Sequence, residues 1–309
     1  EDVAYPIFGV KIIDYDAMDI FGAVIEVSLS VEHGKISLSS IEGLYFTRGT
    51  GKEDLRNVTF RGDIDKVNLA LDGVTYQGDA DYYGRDNFTV YANDLGNSGV
   101  GGALSDAQTI PLNITAVNDA PAISTLDTLA TSGYRSFKKK VQNFAGYFAD
   151  EDVTIELPVV IEDVDADNGE IEVTITPAVG VVSIDSAYTE RLTFIGLTVV
   201  EGLQLNDSVN ARRMHFSGRM FDINEALAGL RYTSAPDWHS SGRDSDNVTV
   251  IVNDRGSVGD GGAKLAKHTL HVFVREINDN PVVNVPRGIL YIDEDQTLLI
   301  DEVEVSDVD

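Results

Sequence analysis

Apolar and polar side chains alternate one for one through much of this chain. The alternation is clear at Ile25–Val31, Lys35–Ser39, Ile171–Ile175 and His268–Val274, and a period of two marks a strand with one buried and one wet face. Over Asn87–Asn93 it points Phe88, Val90 and Ala92 inward and leaves Asn87, Thr89 and Tyr91 to water. Only Ile223–Leu230 has the composition of a helical turn, and Gly, Asn and Asp break the rest at short intervals. Many short strands at such spacing predict an all-β fold of antiparallel β-sandwich domains.

The pattern repeats. DNFTVYANDLGNSGVGGA (from Asp86) returns as DNVTVIVNDRGSVGDGGA (from Asp246), displaced by 160 residues, and the closing ITAVNDAP returns as VREINDNP. Upstream, Val58–Tyr76 matches Met214–Tyr232 at a displacement of 156, the difference being a loop insertion around Trp238 and His239. Glu-Asp openings occur at Glu1, Glu151 and Glu294. The expected organisation is repeat one at 1–121, a connector at 122–150, repeat two at 151–281 and the start of repeat three at 282–309. The recurring NxALxGLxY stretch reads as structure: Leu227, Leu230 and Tyr232 pack inward, as Leu69, Val74 and Tyr76 do in repeat one.

With 51 acidic against 23 basic side chains in 309 residues, the formal charge is −28. That excludes nucleic acid and anionic lipid as natural partners and favours cations. There is no Cys, hence no disulfide framework or thiolate site. No apolar run approaches the ~18 residues of a membrane span, and no signal peptide opens the chain, which starts without an initiator Met and reads as a piece of something longer.

Each unit carries Glu-Asp at its start, an Asp-x-Asp pair about a dozen residues on, and Asn-Asp after two late strands. In an extended segment i and i+2 share a side, so Asp163 with Asp165, or Asp14 with Asp16, would present two carboxylates to one point. Calcium takes ~6–8 oxygens at ~2.3–2.6 Å from such groups. A single Asp-x-Asp also suits a turn, but repetition in register favours the cation.

INDNP at Ile277–Pro281, followed by Glu294-Asp295 and SDVD, resembles the linker of cadherin repeats. DINEALAGLRY, the late VND, the Gly-rich stretch and the terminal VNDAP resemble the cadherin-like tandem repeats of large bacterial and protist cell-surface proteins. The resemblance implies Ig/cadherin-like sandwiches joined end to end, with Ca2+ at the joints. Carried over by position, the first joint uses Glu1 or Asp2, Asn118, Asp119, Asp163, Asp165 and Asp254. The second uses Glu151 or Asp152, Asn278, Asp279, Asn280, Asp307 and Asp309. Asp14, Asp16 and Asp94 are the repeat-one members of the same motifs. The mid-domain Asp-Arg-Glu of true cadherins finds no counterpart, and the first linker holds about seventeen extra residues. That insertion carries Arg135, Lys138, Lys139 and Lys140, which read either as a solvated loop or as a dock for an acidic copy or an anionic glycan.

Sequons at Asn57, Asn87, Asn113, Asn206 and Asn247 are candidate glycosylation sites, and alternation puts all but Asn206 on a wet face. The expected function is a calcium-stabilised structural or adhesive segment of an extracellular or cell-surface protein, in a filament or fibrous assembly. Its partners would be further repeats of the same chain, other copies, surface proteins or glycans. An enzyme is disfavoured because the acids recur with the repeat, whereas a catalytic carboxylate pair would appear once. The alternative is a carbohydrate-binding module with Trp238 and His239 as a stacking platform.

Overall fold

The computed structural model describes residues 1–18, 22–49, 55–97, 100–125, 146–166, 169–199, 208–241, 244–256, 258–301 and 303–307. The chain is all-β, with antiparallel sandwiches of the Ig/cadherin-like kind. It divides into two compact units, Glu1–Asn118 with Val258–Gly262, and Asp119–Ser257 with Ala263–Asp309.

The first unit holds β1 (Tyr5–Ile7), β2 (Val24–Ser30), β3 (Gly34–Ser37), β4 (Tyr45–Arg48), β5 (Asn57–Asp63), β6 (Val74–Gly78), β7 (Gly84–Asn93) and β8 (Ser105–Ile114). One sheet runs β1-β6-β3 and the other β4-β5-β2-β7-β8. The expected alternation is visible in β2, where Ile25, Val27 and Leu29 are buried between half-exposed neighbours. Phe60 of β5 and Phe88 of β7 join them to form the core between the sheets.

The second unit repeats this plan. It contains β9 (Ala122–Thr125), β10 (Tyr147–Asp150), β11 (Ile155–Glu156), β12 (Val159–Glu162), β13 (Glu170–Thr176), β14 (Val181–Asp185), β15 (Thr193–Val199), β16 (Ser208–Arg219), β17 (Arg231–Thr233), β18 (Asp246–Asn253) and β19 (Leu265–Arg275). The short pair β20 (Val282–Asn284) and β21 (Glu304–Ser306) follows. In the first unit the bridge Ile36–Leu55 links the two sheets among the described residues. Its counterpart here is a four-residue pairing of β14 with β16, and the sheets merge into one of nine strands. The stretch read from sequence as a connector supplies β9 and β10 at its two ends. β9 pairs antiparallel with β12, and β10 pairs parallel with β19.

Among the described residues, three α-helices interrupt the strands, α1 (Tyr15–Met18), α2 (Ile64–Leu71) and α3 (Met220–Ala228), together with a 3-10 helix at Ser186–Arg191. The sequence pattern pointed to α3 alone; α2 is its equivalent in the first repeat. In α2 the residues Ile64, Val67 and Leu71 are buried at helical spacing, while Leu69 is 49% exposed. The expectation that Leu69 packs inward is therefore corrected: the true counterpart of Leu227 is Leu71, and Leu69 falls on the outward face of a 3.6-residue period. Leu227, Leu230 and Tyr232 are fully buried.

Two polar devices recur. Asn68 of α2 accepts from Ile12 N–H and donates to Ile12 C=O, at 2.8 and 3.0 Å; Asn224 of α3 does the same to Ile161, at 2.8 Å each. Each Asn thus satisfies both main-chain groups of a residue in the segment that follows the unit's opening. In the second device, Tyr76 and Tyr232 donate their hydroxyls to buried Asp86 and Asp246, both at 2.8 Å. Asp246 also accepts from the N–H groups of Ala178, Val179 and Gly180 at 2.7–3.0 Å. Asp86 accepts likewise from Glu32, His33 and Asn87. The tyrosine rings lie so close to Gly34 and Gly180 that a Cβ there would stand 2.5–2.6 Å from ring carbons, which leaves no room for any larger residue.

Candidate metal centre

Three Glu-Asp openings adopt one backbone form. Asp2, Asp152 and Asp295 all lie in the left-handed region, with φ of 59°, 58° and 62°, which Asp tolerates better than most residues. Asp81 and Asp237, equivalent across the repeats, share that conformation with φ of 58° and 53°. The two turns bring acids together. In the first unit Glu1, Asp2 and Asp81 each place a carboxylate oxygen within 4.8 Å of the others, and in the second unit Asp152, Asp237 and Asp279 do so.

Asp81 and Asp237 escaped the sequence reading, which sought an Asp-Arg-Glu string. The usable signal was their equal place in the two repeats, 156 residues apart, in the turn after β6 and after β17. Of the alternatives at the second opening, Asp152 joins the group. Glu151 is 5% exposed; its Oε1 accepts from Ile277 N–H, and its Oε2 lies 3.9 Å from His239 Nδ1.

A further acidic set lies within the second unit. Asp165 Oδ2 accepts from Asp119 N–H at 2.6 Å, and Asp163 Oδ1 accepts from Asp165 N–H at 3.0 Å. Asp165 and Asp254 are buried, at 6% and 3% exposure. Asp163 Oδ2 and Asp119 Oδ2 are shielded from solvent with no hydrogen-bond partner among the described residues. Burial pushes the Asp163 carboxyl up from its ordinary value, and the charges of Asp254 and Asp165 add to the push. Shielded carboxylate oxygens without donors, crowded by like charge, are the environment that a hard cation relieves.

The expected geometry of the Asp-x-Asp pairs is corrected. Neither pair lies in an extended segment: Asp163–Asp165 forms a turn, and Asp14 caps α1, its Oδ1 accepting from Asp16 and Ala17 N–H at 3.0 Å each. An Asp side chain that bonds the main chain two residues on creates such a turn and competes with the strand. Asp16 is exposed.

Asp94 and Asp254 share a structural duty. Each accepts from the N–H two residues ahead (Gly96 and Gly256) and from one across the hairpin loop (Leu104 and Lys264), at 2.7–2.9 Å. Asn118 is buried; its main-chain N–H donates to Asp260 C=O and its Nδ2 to Gly262 C=O. Asn278, Asn280 and Asp307 are exposed. Asp309, Asn206 and the basic residues Arg135, Lys138, Lys139 and Lys140 lie outside the described residues. The sequon residues Asn57, Asn87, Asn113 and Asn247 are exposed. Asn247 Oδ1 is 2.8 Å from His271 Nδ1. Trp238 is half-buried and packs against the second core.

The fold is that of tandem β-sandwiches of the Ig/cadherin-like kind, and acids recur at equivalent turns of the two units. A family model described as the Protein GAMETE EXPRESSED 2 domain matches residues 9–100, under a third of the chain. No curated protein matches it in sequence. Among solved structures it is similar to a protocadherin gammaB7 EC3-6 fragment (17% identity, TM-score 0.31, covering 90% of this chain and 52% of that one). It is also similar to the surface layer protein SbsC, domains 1-6 (12% identity, TM-score 0.21, covering 81% and 21%), and to the enterotoxigenic E. coli adhesin CfaE (8% identity, TM-score 0.26, covering 83% and 74%). The chain thus spans about half the length of the protocadherin fragment. None of the described helices is long and apolar enough to cross a membrane.

Proposed function

We propose that this chain is a calcium-stabilised structural or adhesive repeat segment of an extracellular or cell-surface protein, part of a filament or fibrous assembly. The observation that carries the reading is the recurrence of convergent carboxylates, Glu1, Asp2 and Asp81 in one unit and Asp152, Asp237 and Asp279 in the other. A chain of charge −28 would not gather acids at matching turns unless something neutralised them. In the second unit the ion would be held by Asp152, Asp237 and Asp279 at one end, and by Asp119, Asp163, Asp165 and Asp254 at the linker that precedes it. The donors are all hard oxygens, which suits Ca2+. The proposed role is non-catalytic, and the repetition of the acids supports that.

Calcium binding followed by titration calorimetry tests the proposal. The native chain should bind Ca2+ with an associated rise in melting temperature. The double variant Asp152→Asn, Asp237→Asn should lose part of the stoichiometry while keeping its far-ultraviolet spectrum. Absence of calcium binding by the native chain would sink the reading.

A further inference from the structure

The second unit carries an aromatic pair on the outer face of its sheet. Phe273 of β19 and Phe148 of β10 stand opposite each other, their rings stacked at 5.4 Å between centroids and 24° between planes. The core takes the alternate residues Val272, Val274 and Ala149, so both rings face outward, and Phe148 is 46% exposed. The Phe273 ring is held in place over Gly146, where a Cβ would stand 2.9 Å from its Cε2. The strand order β10-β19-β18 puts Phe148 on one side of Phe273 and β18 on the other. On β18, Asn247 pairs with His271 and is the diagonal neighbour of Phe273, roughly 7–8 Å away by the usual spacing of antiparallel strands.

Asn247 opens the sequon Asn-Val-Thr. Ser245 Oγ donates to its Oδ1 at 3.1 Å, and His271 Nδ1 lies 2.8 Å from the same oxygen. Both contacts fall on the oxygen, so Nδ2, the atom to which a glycan is joined, lies on the other side of the amide. Next to Phe273 on the same face, Arg275 and Asp150 form a bidentate pair at 2.7 and 2.8 Å. A sugar uses this combination: its C–H groups meet the negative face of an aromatic ring, and its hydroxyls meet polar groups at the rim. The equivalent sequon of the first unit has other neighbours. Asn87 stands opposite Pro111, with Thr109 and Asn113 on the diagonals, and none of these is aromatic.

We propose that Asn247 carries an N-glycan whose core N-acetylglucosamine units lie against Phe273, with Phe148 as a brace, so that the glycan takes an apolar patch of the sheet out of water. This deepens the extracellular reading given above and rests on it. A glycan at Asn87 would find no such platform.

The test uses the full chain with Asn57, Asn87, Asn113 and Asn206 changed to Gln, secreted from a eukaryotic cell behind a supplied leader; the same chain made in bacteria is the bare form. Mass spectrometry should find the glycan on Asn247. Its core sugar protons should move upfield in NMR under the aromatic ring current, and the glycan should raise the melting temperature by roughly 2–4 °C over the bare form. In Phe273→Thr the glycan should still be attached, but both the upfield shift and the gain should disappear. Phe148→Thr, at an exposed position, should shrink both and serves where Phe273→Thr does not fold. An unmodified Asn247, or an equal gain with and without Phe273, overturns the proposal. Association of the bare chain that grows with concentration and is lost in Phe148→Thr would give the ring pair to a second copy, and overturns it as well. Calcium binding by the same material keeps the two readings apart: a chain that binds calcium but leaves Asn247 bare fails this proposal alone.

Discussion

At the scale of single residues, buried Asp246 and Asp86 act as hubs that fasten a turn to the tyrosine of the NxALxGLxY stretch. Asp246→Ala would leave the buried Gly180 N–H, the part-buried Ala178 and Val179 N–H groups and the buried Tyr232 hydroxyl unmatched, so a loss of about 3–5 kcal/mol is expected in denaturant unfolding. Tyr232→Phe removes one bond of the set and should cost about 1–2 kcal/mol. The same hub makes the first unit acid-sensitive. Burial raises the Asp86 carboxyl, but the N–H groups of Glu32, His33 and Asn87 outweigh it, and the net position is below the ordinary carboxylate value. A carboxylate with a lowered folded value stabilises fully above the unfolded value of about 3.9, and that stability disappears as pH falls through the folded value. Asp86→Asn should therefore be less stable than native at pH 7, with the gap narrowing steadily below about pH 4. A gap that does not change with pH would show that Asp86 is not held as the anion.

At the scale of elements, α2 and α3 close the sandwiches, and their buried faces decide what a mutation costs. Leu230 is fully buried, so Leu230→Ala should cost about 2–5 kcal/mol. Leu69→Ala, on the exposed face of α2, should stay within about 0.5 kcal/mol. Equal losses at the two positions would contradict the described packing. These helices also show how far the chain could be read unaided. Strand alternation was legible because a half-buried strand writes its two faces into the sequence residue by residue, as in β2 and β7. The eight residues of α2 were not, because a two-turn helix next to a strand offers too few periods to separate 3.6 from 2 and so does not show that Leu69 faces outward. The acids were legible as recurring motifs, but their grouping was not. Asp81 and Asp237 meet the Glu-Asp turns where Asp2, Asp81, Asp152 and Asp237 all take left-handed backbone, which no side-chain period encodes. The Asp-x-Asp pairs likewise form turns through their own side-chain bonds and not the strand that alternation suggested.

For the whole molecule, the charge of −28 offers two routes by which added salt stabilises the chain, and they are separable. Any electrolyte screens repulsion among exposed carboxylates, since the Debye length falls to about 10 Å at 0.1 M. A bound ion acts differently: it stabilises only the folded state that assembles its ligands, by about 2.7 kcal/mol when its concentration is a hundred times the dissociation constant. Calcium should therefore raise the melting temperature at millimolar concentration well beyond sodium chloride of equal ionic strength. Magnesium should do less, because it demands near-octahedral geometry and sheds water reluctantly. Asp163 gives the sharpest contrast. Its carboxyl is pushed up by burial and by Asp254 and Asp165, so with chelator present its charge works against folding. Asp163→Asn should then be as stable as the native chain or more so in chelator, and less stable in calcium, where the native carboxylate becomes a ligand. Such a crossing of the two melting curves cannot come from screening. If sodium and calcium at matched ionic strength act alike, and Asp163→Asn follows the native chain in both, the acids are a solvated surface and the calcium reading fails.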